Sequence, residues 1–135
     1  MSEAGASVSE GPTGPPVGDD EDLYRCISPA WWVADERRVS SAAFSYPVFS
    51  VDVASLAGSP QATLSRFRPG SGIASFLCRA ARQEGCEVHL EVDAEYPENQ
   101  AHAHVYMPKP NSKRKTTARK LANVCRVLIP PKPAE

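Results

Sequence analysis

Three histidines, His89, His102 and His104, stand among carboxylates in the second half of the chain. From Cys86 to Ala94 the residues alternate strictly. Glu87, His89, Glu91 and Asp93 fall on one face of a strand, and Cys86, Val88, Leu90, Val92 and Ala94 on the other. Residues 101–107 alternate too, with His102, His104 and Tyr106 opposed to Ala101, Ala103, Val105 and Met107. A hairpin that pairs Ala94 with Ala101 sets Asp93 against His102, Glu91 against His104 and His89 against Tyr106. A slip of one residue would bury the charges, so parity puts all three imidazoles on one face. Imidazole beside carboxylate is the material of acid–base catalysis. It is equally the usual polar side of a sheet that faces water. If the chain is an enzyme, His102, His104, Glu91 and Asp93 are its candidate acid–base residues.

The same histidines raise the question of a metal. Cys86-x-x-His89 and His102-x-His104 supply four ligand-type side chains, and a zinc site needs its ligands gathered tetrahedrally. Alternation sends Cys86 to the face opposite the imidazoles. The expectation is no metal and no cofactor.

A second kind of chemistry lies in the distribution of charge. Between Arg82 and Lys109 there is no Lys or Arg, whereas Lys109 to Lys132 holds eight and no acid. Lys113, Arg114, Lys115, Arg119 and Lys120 form a basic patch suited to phosphate or to an acidic partner. No aromatic residue is interleaved to stack on bases. Adjacent residues of a strand point to opposite sides, so one of Trp31 and Trp32 is left for an interface. A protein partner is expected through these residues, with nucleic acid as the second candidate.

The elements that must position these residues can be read from punctuation. Residues 1–22 hold six acids, no base and no aromatic. Such a segment buries too little apolar surface to offset its ordering entropy, so it reads as a disordered acidic tail. Leu23–Ser28 reads as a strand. Val39–Phe44 and Val48–Val53 read as two more, joined through Ser45-Tyr46-Pro47. Ser59-Pro60 opens a short helix that runs to about Phe67. The stripe Ile73, Phe76, Leu77, Ala80 and Ala81 predicts a helix over 71–84, ended by Gly85. After the two alternating strands, a mobile basic loop leads to a last helix from Thr116. Its apolar side is Leu121, Val124, Cys125 and Leu128, and Pro130, Pro131 and Pro133 make a short tail. The domain is therefore residues 23–129, an α+β fold with a mixed or antiparallel sheet and two or three helices.

Several classes are removed. No run of 18 apolar residues exists for a membrane span, and the N-terminus lacks the basic and apolar regions of a secretory signal. Without that signal, Cys26, Cys78, Cys86 and Cys125 read as reduced thiols of a cytoplasmic protein. Gly70-Ser71-Gly72 lacks the further spacing of a phosphate loop, and no G-x-S-x-G elbow occurs. The formal net charge of -1 gives no overall field that attracts polyanions.

The series Leu23-Tyr24-Arg25, Ser40-Ser41-Ala42-Ala43-Phe44, Ser50-Val51-Asp52 and Ala101-His102-Ala103-His104-Val105 resembles a family of small bacterial proteins without an assigned activity. The likeness covers about residues 23–128 and implies a bacterial cytoplasmic protein. The chain also resembles the RES-type ADP-ribosyltransferase-like toxins, which share an early aromatic-Arg strand, a Ser-rich strand and a late acid. That resemblance implies catalytic roles for Arg25, Ser41 and Glu91. The Gly-rich turns with which such domains contact NAD are not found here. The leading expectation is a small binding or accessory protein. The rival is an enzyme that uses the histidine–carboxylate face or an ADP-ribosyltransferase-like site.

Overall fold

The computed structural model describes residues 11–132. Its centre is a six-stranded antiparallel sheet built from β1 (Asp22–Ile27), β4 (Val48–Val53), β5 (Gly72–Leu77), β6 (Glu87–Leu90), β7 (His102–Tyr106) and β8 (Arg126–Ile129), in the order β6-β7-β4-β1-β5-β8. A ribbon of β2 (Trp32–Val33) and β3 (Arg38–Val39) stands beside it. Four α-helices complete the α+β fold: α1 (Ala54–Ala57), α2 (Pro60–Leu64), α3 (Cys78–Gln83) and α4 (Asn111–Val124).

Alternation gives the sheet two unlike faces. Leu23, Ile27, Phe49, Val51, Val53, Ala74, Phe76, Val88, Ala103 and Val105 are buried on one of them. Thr117, Ala118 and Leu121 of α4, Cys78 and Ala81 of α3, and Ala43 and Phe44 of a 3₁₀ turn (Ser41–Phe44) close that side. Phe44 meets Phe49 and Phe76 edge-on, with ring centroids 5.7 Å away in both pairs, the arrangement that the ring quadrupole favours. The opposite face carries Tyr24, Cys26, Ser50, Asp52, His89, His102, His104 and Tyr106.

Four expectations change. Residues 72–77 form a strand between β1 and β8, and the helix is only α3. A strand covered on both sides reads as a continuous apolar run, which periodicity cannot tell from a helix stripe. The expected strand Val39–Phe44 stops at Val39, because the Ser40 hydroxyl caps a 3₁₀ turn by accepting from the Ala42 N–H. The expected basic loop is helical from Asn111, and α4 ends at Val124 rather than running to Leu128. Residues 126–129 alternate and pair with β5 instead, which leaves Val124 at 55% exposure.

The fourth concerns the termini. Residues 1–10 and 133–135 lie outside the described part, but residues 11–22 are packed on the domain. The Val17 side chain is buried, its N–H donates to the Val88 carbonyl at 2.9 Å, and the Leu90 N–H donates to the Pro15 carbonyl at 2.8 Å. Gly14 runs so close to β6 that a Cβ there would sit 1.9 Å from the Leu90 oxygen. Two acids of the segment are ion-paired, Asp19 with Arg82 and Asp20 with Arg79. A count of like charges does not see those partners. At the other end Pro131 is buried and the Lys132 N–H donates to Gly70. Deleting residues 1–18 is expected to lower stability to urea by about 2 kcal/mol, chiefly through Val17 and the edge contacts. An unchanged unfolding midpoint would contradict this packing.

Candidate functional site

The polar face is laid out in rows by the strand register. Tyr24 lies opposite Asp52 and Asp52 opposite His102, across β1, β4 and β7. One row along, Ser50 lies opposite His104, and His104 opposite His89 of β6.

Asp52 is the hub of the first row, with a side chain only 6% exposed. A buried carboxylate is tolerable only when its lone pairs are occupied. Thr63 Oγ1 donates to Oδ2 at 2.7 Å, Arg66 Nη1 to the same oxygen at 2.9 Å, and Asn99 Nδ2 to Oδ1 at 3.0 Å. Local sequence delivers each donor. Ser59 caps α2 by accepting from Ala62, with Pro60 at its first turn, and this places Thr63 over the sheet. Asn99 is oriented by its own Oδ1, which accepts from the Ala101 N–H at 3.2 Å.

These segments enclose a cleft of about 280 Å³, lined by Tyr24, Cys26, Ser50, Val51, Asp52, Thr63, Arg66, Phe67, Asp93, Tyr96, Asn99 and His102. Phe67 and Tyr96 remain 47% and 57% exposed beside it. Within it His102 Nδ1 lies 2.7 Å from the Glu91 backbone oxygen and Nε2 lies 3.2 Å from Ser50 Oγ. A carbonyl can only accept, so Nδ1 carries a proton, and whenever the ring is neutral Nε2 is bare and accepts from the Ser50 hydroxyl. A base whose tautomer is fixed by its second nitrogen is the arrangement that activates a hydroxyl.

Glu91 holds a second network. Its carboxylate accepts from His104 Nδ1 at 2.9 Å, Tyr106 Oη at 2.5 Å, and the backbone N–H groups of Thr13 at 2.6 Å and Gly14 at 3.1 Å. Burial pushes the Glu91 carboxyl up. The hydrogen bonds from Tyr106, Thr13, His104 and Gly14 outweigh it and bring the group down to about 2. The Tyr106 hydroxyl is pushed up, by burial first and then by Glu91, so it stays a donor at neutral pH. This network ties the N-terminal segment to the sheet.

The expected hairpin register is corrected by two residues. Val88 pairs with Val105 and His89 with His104, rather than Val88 with Met107 and His89 with Tyr106. Parity survives a shift of two, so the histidines do share a face and His104 still meets Glu91. Asp93 does not pair with His102. Its carboxylate accepts from the Glu95 N–H at 2.9 Å in the loop, although both side chains line the cleft. Cys86 is buried with its Sγ 3.6 Å from Met107 Sδ, away from the imidazoles.

The other candidates are spread out. Arg25 is buried on the core face and donates to the Ala43 and Ser50 carbonyls. Ser41 opens the 3₁₀ turn, and no hydrogen bond joins it to Arg25 or Glu91 among the described residues. Trp31 and Trp32 are half-buried, Trp31 over Arg25 and Trp32 under Arg37. Lys113, Lys115, Arg119 and Lys120 are exposed on α4, with Arg114 turned partly inward and Lys120 held by Glu84 at 3.2 Å. Ser50, Thr63, Arg66 and Asn99 were not visible as a group in the sequence. The one local signal is that Asp52 shares the parity of Ser50 in a strand whose other positions are apolar. Comparison with protein-family models, curated proteins and solved structures returns no match to this chain.

A carboxyl held low in the folded state stabilises above its unfolded value, and that gain fades as pH falls through the folded one. Wild type is expected to exceed Glu91→Gln by about 2 kcal/mol at pH 7, an advantage that shrinks from roughly pH 5 to pH 2. Urea titrations of both proteins across that range measure it. A difference that does not change with pH would show that Glu91 is not the titrating tie.

Proposed function

We propose that this chain is a small-molecule-binding protein, and that its site is the cleft over Asp52. The observation that carries this reading is the pair of exposed rings, Phe67 and Tyr96, beside a floor of positioned polar groups. A concave site with apolar walls and a few converging polar groups suits a small planar molecule that bears a hydroxyl or amide. Asp52 already accepts three hydrogen bonds, so recognition falls chiefly to Ser50, His102 and Tyr24. His102 is placed to take a proton from Ser50 or from a ligand hydroxyl, which keeps acid–base chemistry within this reading. Phenol, titrated into isotopically labelled protein, is expected to shift the His102, Tyr24 and Tyr96 signals saturably. Tyr96→Ala or Phe67→Ala should weaken binding about three- to tenfold. Shifts that scatter over the surface, or equal affinity in the variants, would sink the proposal.

A second reading, a bacterial cytoplasmic accessory protein that meets a protein or nucleic-acid partner, rests on α4. That helix has no acid, and Lys113, Arg114 and Lys115 occupy its first turns. Cations there oppose the helix dipole at a cost of about 0.3–1 kcal/mol each, a placement that stability alone does not favour. On this reading a labelled DNA duplex binds with an affinity that falls linearly in log salt, and Lys115→Ala/Arg119→Ala lowers the slope by about 2. A slope unchanged in the double variant would remove the helix from the interface.

A further inference from the structure

A second cleft, of about 790 Å³, opens beside the first and shares Cys26 and Phe67 with it. Its lining includes Arg25, Arg68 and Lys132, and no Asp or Glu. Arg68 and Lys132 are exposed, and the Lys132 N–H closes the rim by donating to the Gly70 carbonyl at 2.8 Å.

Arg25 makes this cleft more than a surface with two cations on it. The residue is only 9% exposed, and it forms no ion pair among the described residues. Nε and Nη2 donate to the Ala43 oxygen at 3.0 Å and 2.8 Å, and Nη1 donates to the Ser50 oxygen at 3.1 Å. A guanidinium has five N–H donors, so two are left without a protein acceptor. The faces of Trp31, Tyr46 and Phe49 lie 5.1, 5.9 and 4.8 Å from its central carbon. They lower the cost of burying the cation without neutralising it. Burial disfavours the charged form and brings Arg25 down to about 10, with smaller opposing effects from Cys26 and Tyr46. A buried, hydrogen-bonded but unneutralised cation at the wall of a carboxylate-free cleft has an unmet requirement for negative charge.

We infer that this cleft binds an oxyanion, a carboxylate or phosphate, through the two spare Arg25 donors together with Arg68 and Lys132. Where the ligand also fills the first cleft, it is an anionic molecule whose ring or hydroxyl part lies over Asp52. That extension rests on the function proposed above, whereas the oxyanion site does not.

Inorganic phosphate is the probe, titrated into the full chain with chloride added to hold ionic strength constant. The expected result is a saturable shift of the Arg25 Nε–Hε signal and a rise in Tm. Arg68→Gln/Lys132→Gln changes only exposed side chains, and it should weaken phosphate binding at least about tenfold. Acetate that produces the same shift also supports an oxyanion site and identifies a carboxylate as sufficient. Chloride alone giving an equal response, or the double variant binding phosphate as wild type does, overturns the proposal. Arg25→Lys removes the fork and is expected to be less stable, which is why the double variant decides the matter. Phenol binding in the first cleft is read on His102 and Tyr96, so the two proposals fail separately.

Discussion

Most of the geometry of the polar face follows from burying one carboxylate. Leaving Asp52 without donors would cost several kcal/mol, and its three donors come from two chain segments, Thr63 and Arg66 from one and Asn99 from another far along the chain. The requirement fixes where α2 sits and how the loop between β6 and β7 folds back over the sheet. The apolar face supplies the stabilising burial and would be satisfied by many arrangements of its covering helices. Asp52 is more selective, because a hydrogen bond tolerates only a few tenths of an ångström and a limited angle. The cleft is thus a by-product of meeting that demand.

This explains which parts were legible beforehand. The α+β class followed from the mixture of alternating and helical segments, with a mixed or antiparallel sheet expected, and Val88, Leu90, Ala103 and Val105 on one side and the histidines on the other admit only one parity. The register did not follow. Parity is unchanged by a shift of two, and the choice between Val105 and Met107 as partner of Val88 is made by the loop that carries Asn99 to Asp52. Strand β5 reads as a helix for a related reason. Ile73, Ala74, Ser75 and Phe76 are all buried, so the period-two signal vanishes where the strand is most protected. The packing of residues 11–22 was hidden because its partners, Val88 and Leu90 at the sheet edge and Arg79 and Arg82 beside it, lie some sixty to seventy-five positions away, and composition carries no information about partners at that distance.

Strand β1 shows how little sequence separates the two clefts. Tyr24 and Cys26 face the Asp52 side and Arg25 faces the core, so three consecutive residues serve both. The two buried charges, Asp52 and Arg25, are handled differently. The acid is paired with a cation and two neutral donors. The guanidinium is met by carbonyls and ring faces, which satisfy donors but leave the charge itself uncompensated. This contrast leaves the first cleft with a charge that is already paired and the second with one that is not.

The net charge of -1 conceals the same segregation on a larger scale. Fifteen of the sixteen acids precede β7, whereas eight of the fifteen cations follow it, and of those eight only some meet an acid, as Lys120 does Glu84. At physiological salt a charge is felt over roughly 8–10 Å. An approaching molecule therefore senses the charges near its contact, such as the exposed cations of α4, and not the sum over the chain. Net charge sets solubility, but association is governed by what lies within one screening length of the contact. For this chain the two differ, because the cations at the start of α4 cancel in the total without an acid beside them on that helix.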